Sequence, residues 1–277
     1  MVAVLRVTTR NARFQQWEAL LGNRTKRQRS GEFLVQGVRP IKLAIHLGWQ
    51  VRQLLYNADA HLSTWAQETL DAAGATRVAV AGELMVELGG KVEGAPELLA
   101  VVALPDDDLG RIPTGPDLLP VVFDRPTSPG NIGTLIRSAD AFGASGVVIT
   151  GHAADVYDPK AVRASTGSLF SVPVVRVPGH RPVLDWVAAI RADVEVRVVG
   201  TDESGAVEAA EYDFTQPTLL VVGNETSGLS SAWRDACDHL IRIPMVGMAS
   251  SLNAATAGSV VLYEAARQRA GGGRVRR

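Results

Sequence analysis

Three segments of this 277-residue chain combine glycines with amide, hydroxyl or charged side chains where a predicted strand ends. They read N-I-G-x-x-I-R at residues 131–137, G-N-E-x-x-G-L at residues 223–229, and I-P-M-x-G-x-x-S-S-L-N at residues 243–253. Glycine lets the backbone approach a ligand closely, and amides and carboxylates orient polar groups. The three segments are therefore the candidate ligand-binding and reaction loops of the chain.

Each segment also has an ordinary structural explanation when it is taken singly. Asn131 could cap a helix and Arg137 could be a surface residue. Ser250 or Ser251 is predicted to cap the last helix, and Ile243 and Leu252 could be core residues. Only the combination of the three segments indicates a function.

Several classes of chemistry are excluded by missing motifs. The chain has no G-x-G-x-x-G dinucleotide fingerprint, no phosphate-binding P-loop, no H-E-x-x-H and no nucleophile elbow. A single cysteine, Cys237, rules out a disulfide framework and a cysteine-based metal site, and the five histidines lack ligand spacing. Phosphate-loop NTPase activity, nucleophilic hydrolysis and zinc chemistry drop out, and we expect no metal.

Elements that could position these segments alternate along the second part of the chain. Nearly continuous apolar runs predict strands at residues 118–124, 146–150, 172–177, 196–202, 217–225 and 240–245. Helical patterns fall at residues 132–142, 182–190, 231–237 and about 252–269. This alternation predicts an α/β domain with a parallel sheet and ligands at the carboxyl ends of its strands.

The first part of the chain predicts a separate, smaller α/β domain. We place it at residues 1–104, with a Pro-, Gly- and Asp-rich linker at residues 105–117 and the larger domain at residues 118–277. Within the small domain, residues 22–32 (GNRTKRQRSGE) predict a polar turn with four basic side chains, suited to a nucleic-acid backbone.

Charge is distributed unevenly, although the net charge is only −1. Residues 1–57 carry ten basic and two acidic side chains, whereas residues 58–266 carry 13 basic and 27 acidic ones. A basic head on an acidic body is typical of a module that meets phosphates, the alternative being a merely solvated surface. No signal peptide or membrane-length apolar run is visible, so we expect a cytoplasmic protein without a membrane partner.

In order and spacing, the three segments resemble the three motifs of the SpoU/TrmH branch of the SPOUT methyltransferases, and R-A-S-T-G-S at residues 163–168 also fits. The basic N-terminal part is similar to the family's RNA-binding, L30e-like extension. The resemblance implies a deep trefoil knot in the methyltransferase domain and a homodimer whose interface helps to build each active site.

The resemblance also implies transfer of a methyl group from S-adenosylmethionine to a ribose 2′-hydroxyl of RNA. The segments FDRPTSPGNIG, GHAADVYDPK and FTQPTLL are most similar to members that act on 23S rRNA, as free RNA or in a ribosomal particle, and that give resistance to a ribosome-targeting antibiotic. One alternative is ribose methylation of tRNA. The other is a non-catalytic RNA-binding or ribosome-assembly protein.

Site residues are carried over by position from this resemblance. It makes Arg137 the catalytic arginine, assisted by Asn131, Glu225, Ser251 and Asn253. The residues implied for S-adenosylmethionine are Gly223, Ile243 and Leu252, with Thr201, Asn224, Met245 and Ser251. The residues expected to grip RNA are Arg13, Lys26, Arg27, Arg29 and Arg39.

The roles of two catalytic candidates stay open at this point. Family accounts make the arginine a general base, but a guanidinium stays protonated at ordinary pH. A role for Arg137 in holding phosphate and stabilising an alkoxide fits its chemistry better. Glu225 could accept a proton, or it could fix the geometry of Asn131 and Arg137.

Overall fold

The computed structural model describes residues 5–90 and 94–271 of the chain. These residues form two compact units. The first is drawn from the ranges Met1–Pro105 and Tyr157–Ser171, and the second from Asp106–Val156 and Val172–Arg277. The boundary near residue 105 lies where the composition changes.

The first unit is built on a mixed five-stranded sheet in the order β1-β4-β3-β5-β2. Its N-terminal elements are β1 (Leu5–Val7), α1 (Ala12–Gly22), α2 (Arg24–Ser30), β2 (Glu32–Gln36), α3 (Val38–His46), β3 (Val51–Asn57), α4 (Thr64–Ala72), β4 (Thr76–Val80), α5 (Gly82–Gly89) and β5 (Leu98–Ala103). β1, β4 and β3 pair in parallel, whereas β5 pairs antiparallel with both β3 and β2. This leaves β2 as an edge strand.

Helix α2 replaces the polar turn predicted for residues 22–32. The Asn23 side chain accepts a hydrogen bond from Lys26 N at the start of the helix, and Gly31 ends it in the left-handed conformation with φ of 64°. Both termini are therefore capped. The helix was not predicted because its sequence is mostly charged and polar. Only one of its side chains, Arg27, is buried, so the sequence shows no apolar helical pattern.

The second unit is built on a seven-stranded sheet in the order β10-β12-β9-β11-β6-β7-β8, in which every pair is parallel. The remaining elements of the chain are β6 (Pro120–Asp124), α6 (Pro129–Ala141), β7 (Gly146–Thr150), α7 (Pro159–Ser165), α8 (Ser168–Ser171), β8 (Val174–Val177), α9 (His180–Ile190), β9 (Arg197–Thr201), β10 (Val207–Glu208), β11 (Thr218–Val222), α10 (Ser231–Ala236), β12 (His239–Arg242) and α11 (Ala254–Gly271). All residues of β6, β7 and β11 are buried, as expected for strands covered on both faces. The predicted parallel α/β fold is confirmed.

The segment that contains α7 and α8 belongs to the first unit, although the domain prediction assigned it to the second. Phe33 and Tyr157 lie 4.8 Å apart between ring centroids, and Trp49 meets Phe170 edge-on at 5.0 Å. The Trp49 indole N–H also donates to Phe170 O at 3.0 Å. An aromatic cluster thus ties this segment to residues more than one hundred positions earlier in the chain.

Of the predicted linker at residues 105–117, all but Pro105 are an ordered part of the second unit rather than a free linker. Arg176 forms an ion pair with Asp107 at 2.7 Å, and Arg111 donates to Val174 O at 3.1 Å. Ile112 is buried, and it fills the space where a side chain at Gly146 would have to lie. The abundance of Pro, Gly and Asp marks irregular backbone correctly but does not indicate whether that backbone is packed.

The order of the second sheet determines where the motif loops meet. β12, β9, β11 and β6 are neighbours and all parallel, so their carboxyl ends lie along one edge of the sheet. The loops after these strands therefore converge there. The threaded knot implied by the family resemblance stays a prediction.

Candidate active site

A cavity of about 300 Å³ lies at this carboxyl edge of the second unit. Its walls come from the ends of β9, β11 and β12 and from the start of α11. The lining residues are Thr201, Asp202, Glu203, Val222, Gly223, Asn224, Glu225, Thr226, Ser227, Gly228, Arg234, Ile241, Ile243, Met245, Ser251, Leu252, Ala254 and Ala257. Apolar side chains thus stand next to the backbone of tight loops, an arrangement suited to a small ligand with an apolar ring and polar edges.

The seven residues that the sequence analysis assigned to a cofactor all line this cavity. Six of them come from the loops that follow β11 and β12, and Thr201 is the last residue of β9. Their contact with a ligand stays a prediction. The chemistry of the walls fits S-adenosylmethionine, whose adenine needs an apolar slot and whose ribose and amino-acid parts need hydrogen-bonding groups.

Gly223 is required by close packing inside the cavity wall. A Cβ built on it would lie 2.4 Å from Gly228 C and 2.4 Å from Leu229 N. The loop doubles back on itself, because Asn224 N donates to Gly228 O at 2.9 Å and Gly228 N donates to Asn224 O at 3.1 Å. Only a residue without a side chain lets these two backbone segments approach so closely.

Glu225 is the centre of a hydrogen-bond network that joins the first two motif loops. Its carboxylate accepts from Thr127 N at 2.9 Å, Thr127 Oγ1 at 3.1 Å, Ser128 N at 3.1 Å and the Asn131 side-chain amide at 3.0 Å. All four donors come from the loop after β6 and the first turn of α6. The carboxylate therefore fixes one motif loop against the other.

This network favours the ionised form of Glu225. Burial alone would raise the pKa of the carboxyl, but the hydrogen bonds from Thr127 N, the Asn131 side chain and Ser128 N outweigh it and lower the pKa below its ordinary value. At neutral pH the carboxylate is charged and already accepts four hydrogen bonds. It is thus better suited to positioning its neighbours than to taking up a proton.

Asn131 and Asn253 extend the network to the third motif. The Asn253 amide donates to Asn131 Oδ1 at 3.2 Å, while Asn253 Oδ1 caps α11 by accepting from Ala255 N and Thr256 N. The cap expected at Ser250 or Ser251 is wrong, because α11 begins only at Ala254. Asn131 likewise does not cap α6. Ser128 caps it, which leaves the Asn131 amide free for Glu225.

Arg137 lies on α6 but outside the cavity of its own chain. It is exposed, and within the described residues its guanidinium makes no hydrogen bond or ion pair. Six helical positions separate it from Asn131, which puts it about 9 Å further along the axis and about 120° around the helix. The Asn131 side chain and that of Arg137 therefore leave the helix in different directions.

Residues that sequence reasoning missed support the same loops. Asp124, which is buried at the end of β6, accepts from Thr150 Oγ1, Arg125 Nε and Ser230 N. Arg125 adopts a positive φ of 51°, donates to Gly228 O, and accepts from the Asn224 amide at 2.6 Å. The Asp-Arg-Pro sequence, which begins at the last residue of a buried strand, was the available signal, since the residue before proline is conformationally restricted.

An ion pair between Arg234 and Asp202 borders the cavity near β9. Arg234 contacts the buried Asp202 carboxylate at 2.5 Å, and Asp202 also accepts from the backbone and hydroxyl of Ser204. Neither residue belongs to the three motifs. Their proximity depends on α10 returning across the sheet, which no local pattern indicates.

The basic residues expected to meet RNA divide into two groups. Arg13, Lys26, Arg29 and Arg39 are exposed in the first unit. Arg27 differs, because it is buried and donates to Leu20 O at 2.6 Å and Leu21 O at 3.3 Å. Arg27 therefore stabilises the end of α1 and does not grip a nucleic acid.

The described part of the chain contains neither a membrane-length apolar helix nor a cluster of metal-binding side chains. No helix among residues 5–90 and 94–271 is long and apolar enough to cross a membrane. Over the same residues, no group of three or more His, Cys, Asp or Glu side chains is placed to hold a metal ion.

Both parts of the chain match known protein families. The SpoU L30e-like domain matches residues 11–100, and the SpoU rRNA methylase family matches residues 119–263. The second match covers more than half of the chain and includes all three motif loops.

Individual relatives extend these matches over nearly the full length. The chain is 61% identical to a 23S rRNA (uridine(2479)-2′-O)-methyltransferase of Streptomyces viridochromogenes, over 98% of this chain and 94% of that protein. The crystal structure of the SpoU methyltransferase AviRb from the same organism, in complex with AdoMet, is similar with a TM-score of 0.91 over 94% of this chain and 99% of that one, at 61% identity. An AdoMet-bound rRNA methyltransferase from Sinorhizobium meliloti has a TM-score of 0.85 at 29% identity, over 95% and 98% of the two chains.

Proposed function

Because this chain belongs to the SpoU rRNA methylase family, we propose that it transfers a methyl group from S-adenosylmethionine to a ribose 2′-hydroxyl of 23S rRNA. The observation that carries the proposal is the hydrogen-bond chain Glu225–Asn131–Asn253, which joins all three motif loops beside the cavity. The chain is thus an enzyme that uses S-adenosylmethionine. We expect it to act in the cytoplasm, where ribosomes are assembled.

The reaction is an in-line displacement, in which the ribose oxygen forms a bond to the methyl carbon as the bond from carbon to sulfur breaks. The cofactor supplies a methyl group on a sulfonium, which is already a good leaving group. The protein must hold the hydroxyl in line and favour loss of its proton to water. No metal is required for these tasks.

We assign the positioning role to Glu225. Its four hydrogen bonds hold the loop after β6 against the cavity, and through Asn131 they reach Asn253 at the start of α11. Asn131 and Asn253 are then the side chains that orient the substrate. Ser251, which is exposed and lines the cavity, can bond to the cofactor or the ribose.

Replacing Glu225 by Gln tests this assignment. The NH2 group of the glutamine would face the N–H and O–H donors that the carboxylate accepts from, so some of these hydrogen bonds are lost. We expect methyl transfer to fall between about ten- and a hundredfold through lost alignment.

The lowered pKa of Glu225 also predicts a pH dependence of stability. The stabilisation from ionised Glu225 is fully present above its ordinary pKa of 4.5 and is lost as pH falls through the lower pKa of the folded state. The melting-temperature difference between wild type and variant should be constant from pH 6 to 8 and shrink below about pH 4.5.

The matched control is Glu203→Gln, which also changes a carboxylate in the cavity wall. Glu203 has no side-chain hydrogen bond among the described residues, so its replacement should leave the melting temperature unchanged. Normal melting of Glu225→Gln, with a rate that is low at every pH and lacks the fall at acid pH seen in the wild type, would instead make Glu225 a proton acceptor.

We propose further that the enzyme acts as a homodimer. Among the described residues of the second unit, the exposed large apolar side chains all lie between positions 245 and 263. They are Met245, Val246, Met248, Leu252, Val260 and Tyr263. A concentrated apolar surface is typical of an interface. Arg137 on the neighbouring helix α6 could then complete the cavity of a second subunit.

Val260→Arg should separate the subunits. Val260 is 40% exposed on α11, and a buried guanidinium without a partner would oppose association. We expect the mass measured by light scattering to fall from twice the chain mass to 29.4 kDa, with loss of methyl transfer. Ala192→Arg, at an exposed position after α9, is the control that should remain dimeric. A variant that is monomeric and fully active would contradict an active site shared between subunits.

RNA binding is assigned to the first unit. Arg13, Lys26, Arg29 and Arg39 are exposed there and belong to the strongly basic head of the chain. Such side chains contact phosphates and therefore supply affinity more than sequence recognition. We take the first unit as the RNA-binding domain and the second as the methyltransferase domain.

The deciding experiment is methyl transfer from labelled S-adenosylmethionine to unmethylated bacterial RNA, with rRNA and tRNA separated and modified riboses mapped. Label at one position of 23S rRNA is the expected result. Label in tRNA would keep the chemistry but replace the substrate. Tight RNA binding without cofactor binding or transfer would identify a non-catalytic RNA-binding protein.

A separate growth experiment tests whether the chain gives resistance to a ribosome-targeting antibiotic, as the family resemblance implies. A sensitive strain that expresses the chain should grow in the presence of such an antibiotic.

A further inference from the structure

A second cavity, of about 240 Å³, lies within the first unit, between the edge strand β2, the end of α5 and helix α7. We name it the edge-strand cavity. It is lined by Leu21, Leu34, Val35, Gln36, Leu88, Gly89, Gly90, Leu99, Asp158, Pro159, Lys160, Val162 and Arg163. None of these residues lines the proposed cofactor cavity. Neither do any of them belong to the set expected to bind RNA.

The cavity has an apolar floor and a polar mouth. Leu34, Leu88 and Leu99 are almost fully buried beneath it. Lys160 and Arg163 are exposed on α7 at its rim, and Gln36 is half-buried at the end of β2. The ligand that matches this arrangement has an apolar face, an edge with hydrogen-bonding groups and a negative charge.

The three polar side chains at the mouth are not used by the protein itself. Within residues 5–90 and 94–271, the side chains of Gln36, Lys160 and Arg163 form no hydrogen bond or ion pair. Their neighbours differ, because Asp158 caps α7 at Lys160 N and lies 3.9 Å from Arg27. The one carboxylate among the described residues that line the cavity is thus already engaged, and within the same residues both cations are available to an anion.

Two glycines line the mouth of the cavity. A Cβ at Gly89 would lie 2.7 Å from Pro96 and 3.7 Å from Gln36 Nε2. Gly90 has a positive φ of 70°, and a Cβ there would lie 3.9 Å from Arg163 Nη1. The amide and the guanidinium therefore lie within ordinary contact distance of this backbone, and the close packing at Gly89 is against Pro96.

We propose that the edge-strand cavity binds one unstacked nucleotide of the RNA substrate, an inference that rests on the proposed function. The base occupies the apolar floor, and Gln36 pairs with its edge, since an amide both donates and accepts. Lys160 and Arg163 hold the adjoining phosphates. Specific RNA recognition commonly depends on bases that are turned out of the stack in this way. A free phosphate would not need the apolar floor, and an acyl chain would not need the amide.

The salt dependence of binding separates the two kinds of contact. With full-length protein and transcribed, unmethylated 23S rRNA, we expect Gln36→Leu to weaken binding roughly tenfold at every salt concentration, with an unchanged slope of log K against log salt. Lys160→Ala with Arg163→Ala should weaken binding and lower that slope by about two, because two phosphate contacts are lost.

Matched controls are Gln50→Leu and Arg77→Ala, which alter an exposed amide and an exposed arginine of the same unit away from the cavity. Both should bind like wild type. Melting temperature and S-adenosylmethionine affinity should be unchanged in all variants, which excludes misfolding as the cause.

Cross-linking gives a second, direct measurement. A transcript containing 4-thiouridine should, after irradiation, yield cross-links to residues that line the edge-strand cavity. Wild-type affinity for both variants, or cross-links only elsewhere, would overturn the inference while methyl transfer still supports the proposed function. Failure of the wild-type protein to bind or methylate rRNA would contradict the proposed function itself, and the inference with it.

Discussion

Arg137→Ala is expected to lower methyl transfer by about a thousandfold while S-adenosylmethionine binds as in wild type. Arg137 has the only side chain among the proposed catalytic residues that carries a positive charge. A guanidinium stabilises the charge that develops on the ribose oxygen and can hold an adjacent phosphate. Its position outside the cavity of its own chain explains why cofactor binding should not change. Single-turnover rates and isothermal titration measure the two quantities separately.

The control for this variant is Thr134→Ala, which alters another exposed position on α6. It should keep the wild-type rate. Undiminished methylation by Arg137→Ala would remove Arg137 from the mechanism, and equal loss of cofactor affinity would make it a cofactor ligand instead.

Gly223→Ala is expected to reduce S-adenosylmethionine affinity more than about a hundredfold. The added Cβ would overlap the backbone at Gly228 and Leu229, both 2.4 Å away, and backbone cannot rotate aside as a side chain can. The loop must therefore open, which displaces Asn224 and Glu225 together. Titration with the cofactor and far-UV circular dichroism show whether the loss is local.

Gly179→Ala is the matched control, because a Cβ there meets nothing within 4 Å. If Gly223→Ala does not fold, Asn224→Ala provides a milder change, since it introduces no overlap and removes only side-chain hydrogen bonds, to Arg125 O and from Thr226 N and Ser227. Normal cofactor affinity in both variants would mean that the cavity is not the cofactor site.

Mixing these two variants tests the shared active site. In a mixed dimer of Arg137→Ala and Gly223→Ala subunits, one cavity keeps an intact cofactor loop and receives Arg137 from the other subunit. Activity should then return, although neither variant is active alone. No recovery in proven mixed dimers would place Arg137 and the cofactor in the same subunit.

The central strands were predictable because the burial of a parallel sheet leaves a direct mark on composition. The run GVVIT predicts a strand at residues 146–150, and β7 has these bounds. The predicted strands at residues 217–225 and 196–202 likewise contain β11 and β9. Only their ends were extended too far, since polar residues after a buried strand do not show where pairing stops.

Elements that depend on single capping residues were not predictable in this way. Helix α2 has seven residues, and it is fixed by Asn23 at one end and Gly31 at the other. The same difficulty applies to Arg27, whose type indicates an exposed cation until the carbonyls of Leu20 and Leu21 are seen beside it. A charged side chain can be buried only where neighbouring groups in the fold bind it, and sequence periodicity does not reveal those neighbours.

The candidate site followed from the sequence only as three separate loops. Their spacing could not reveal that Glu225 binds Thr127 and Ser128, about one hundred positions earlier. That pairing requires β11 and β6 to be neighbours, which is a property of strand order. Asp124 and Arg125 were missed for the same reason.

The membership of residues 157–171 in the first unit limits how this protein can be recombined with its relatives. A graft of residues 1–105 alone would separate Phe33 and Trp49 from their aromatic partners Tyr157 and Phe170. Chimaeras that exchange the N-terminal part should therefore fold only when this short internal segment is exchanged with it. Exchange of the first unit therefore requires two separate stretches of the chain, because both contribute to its core.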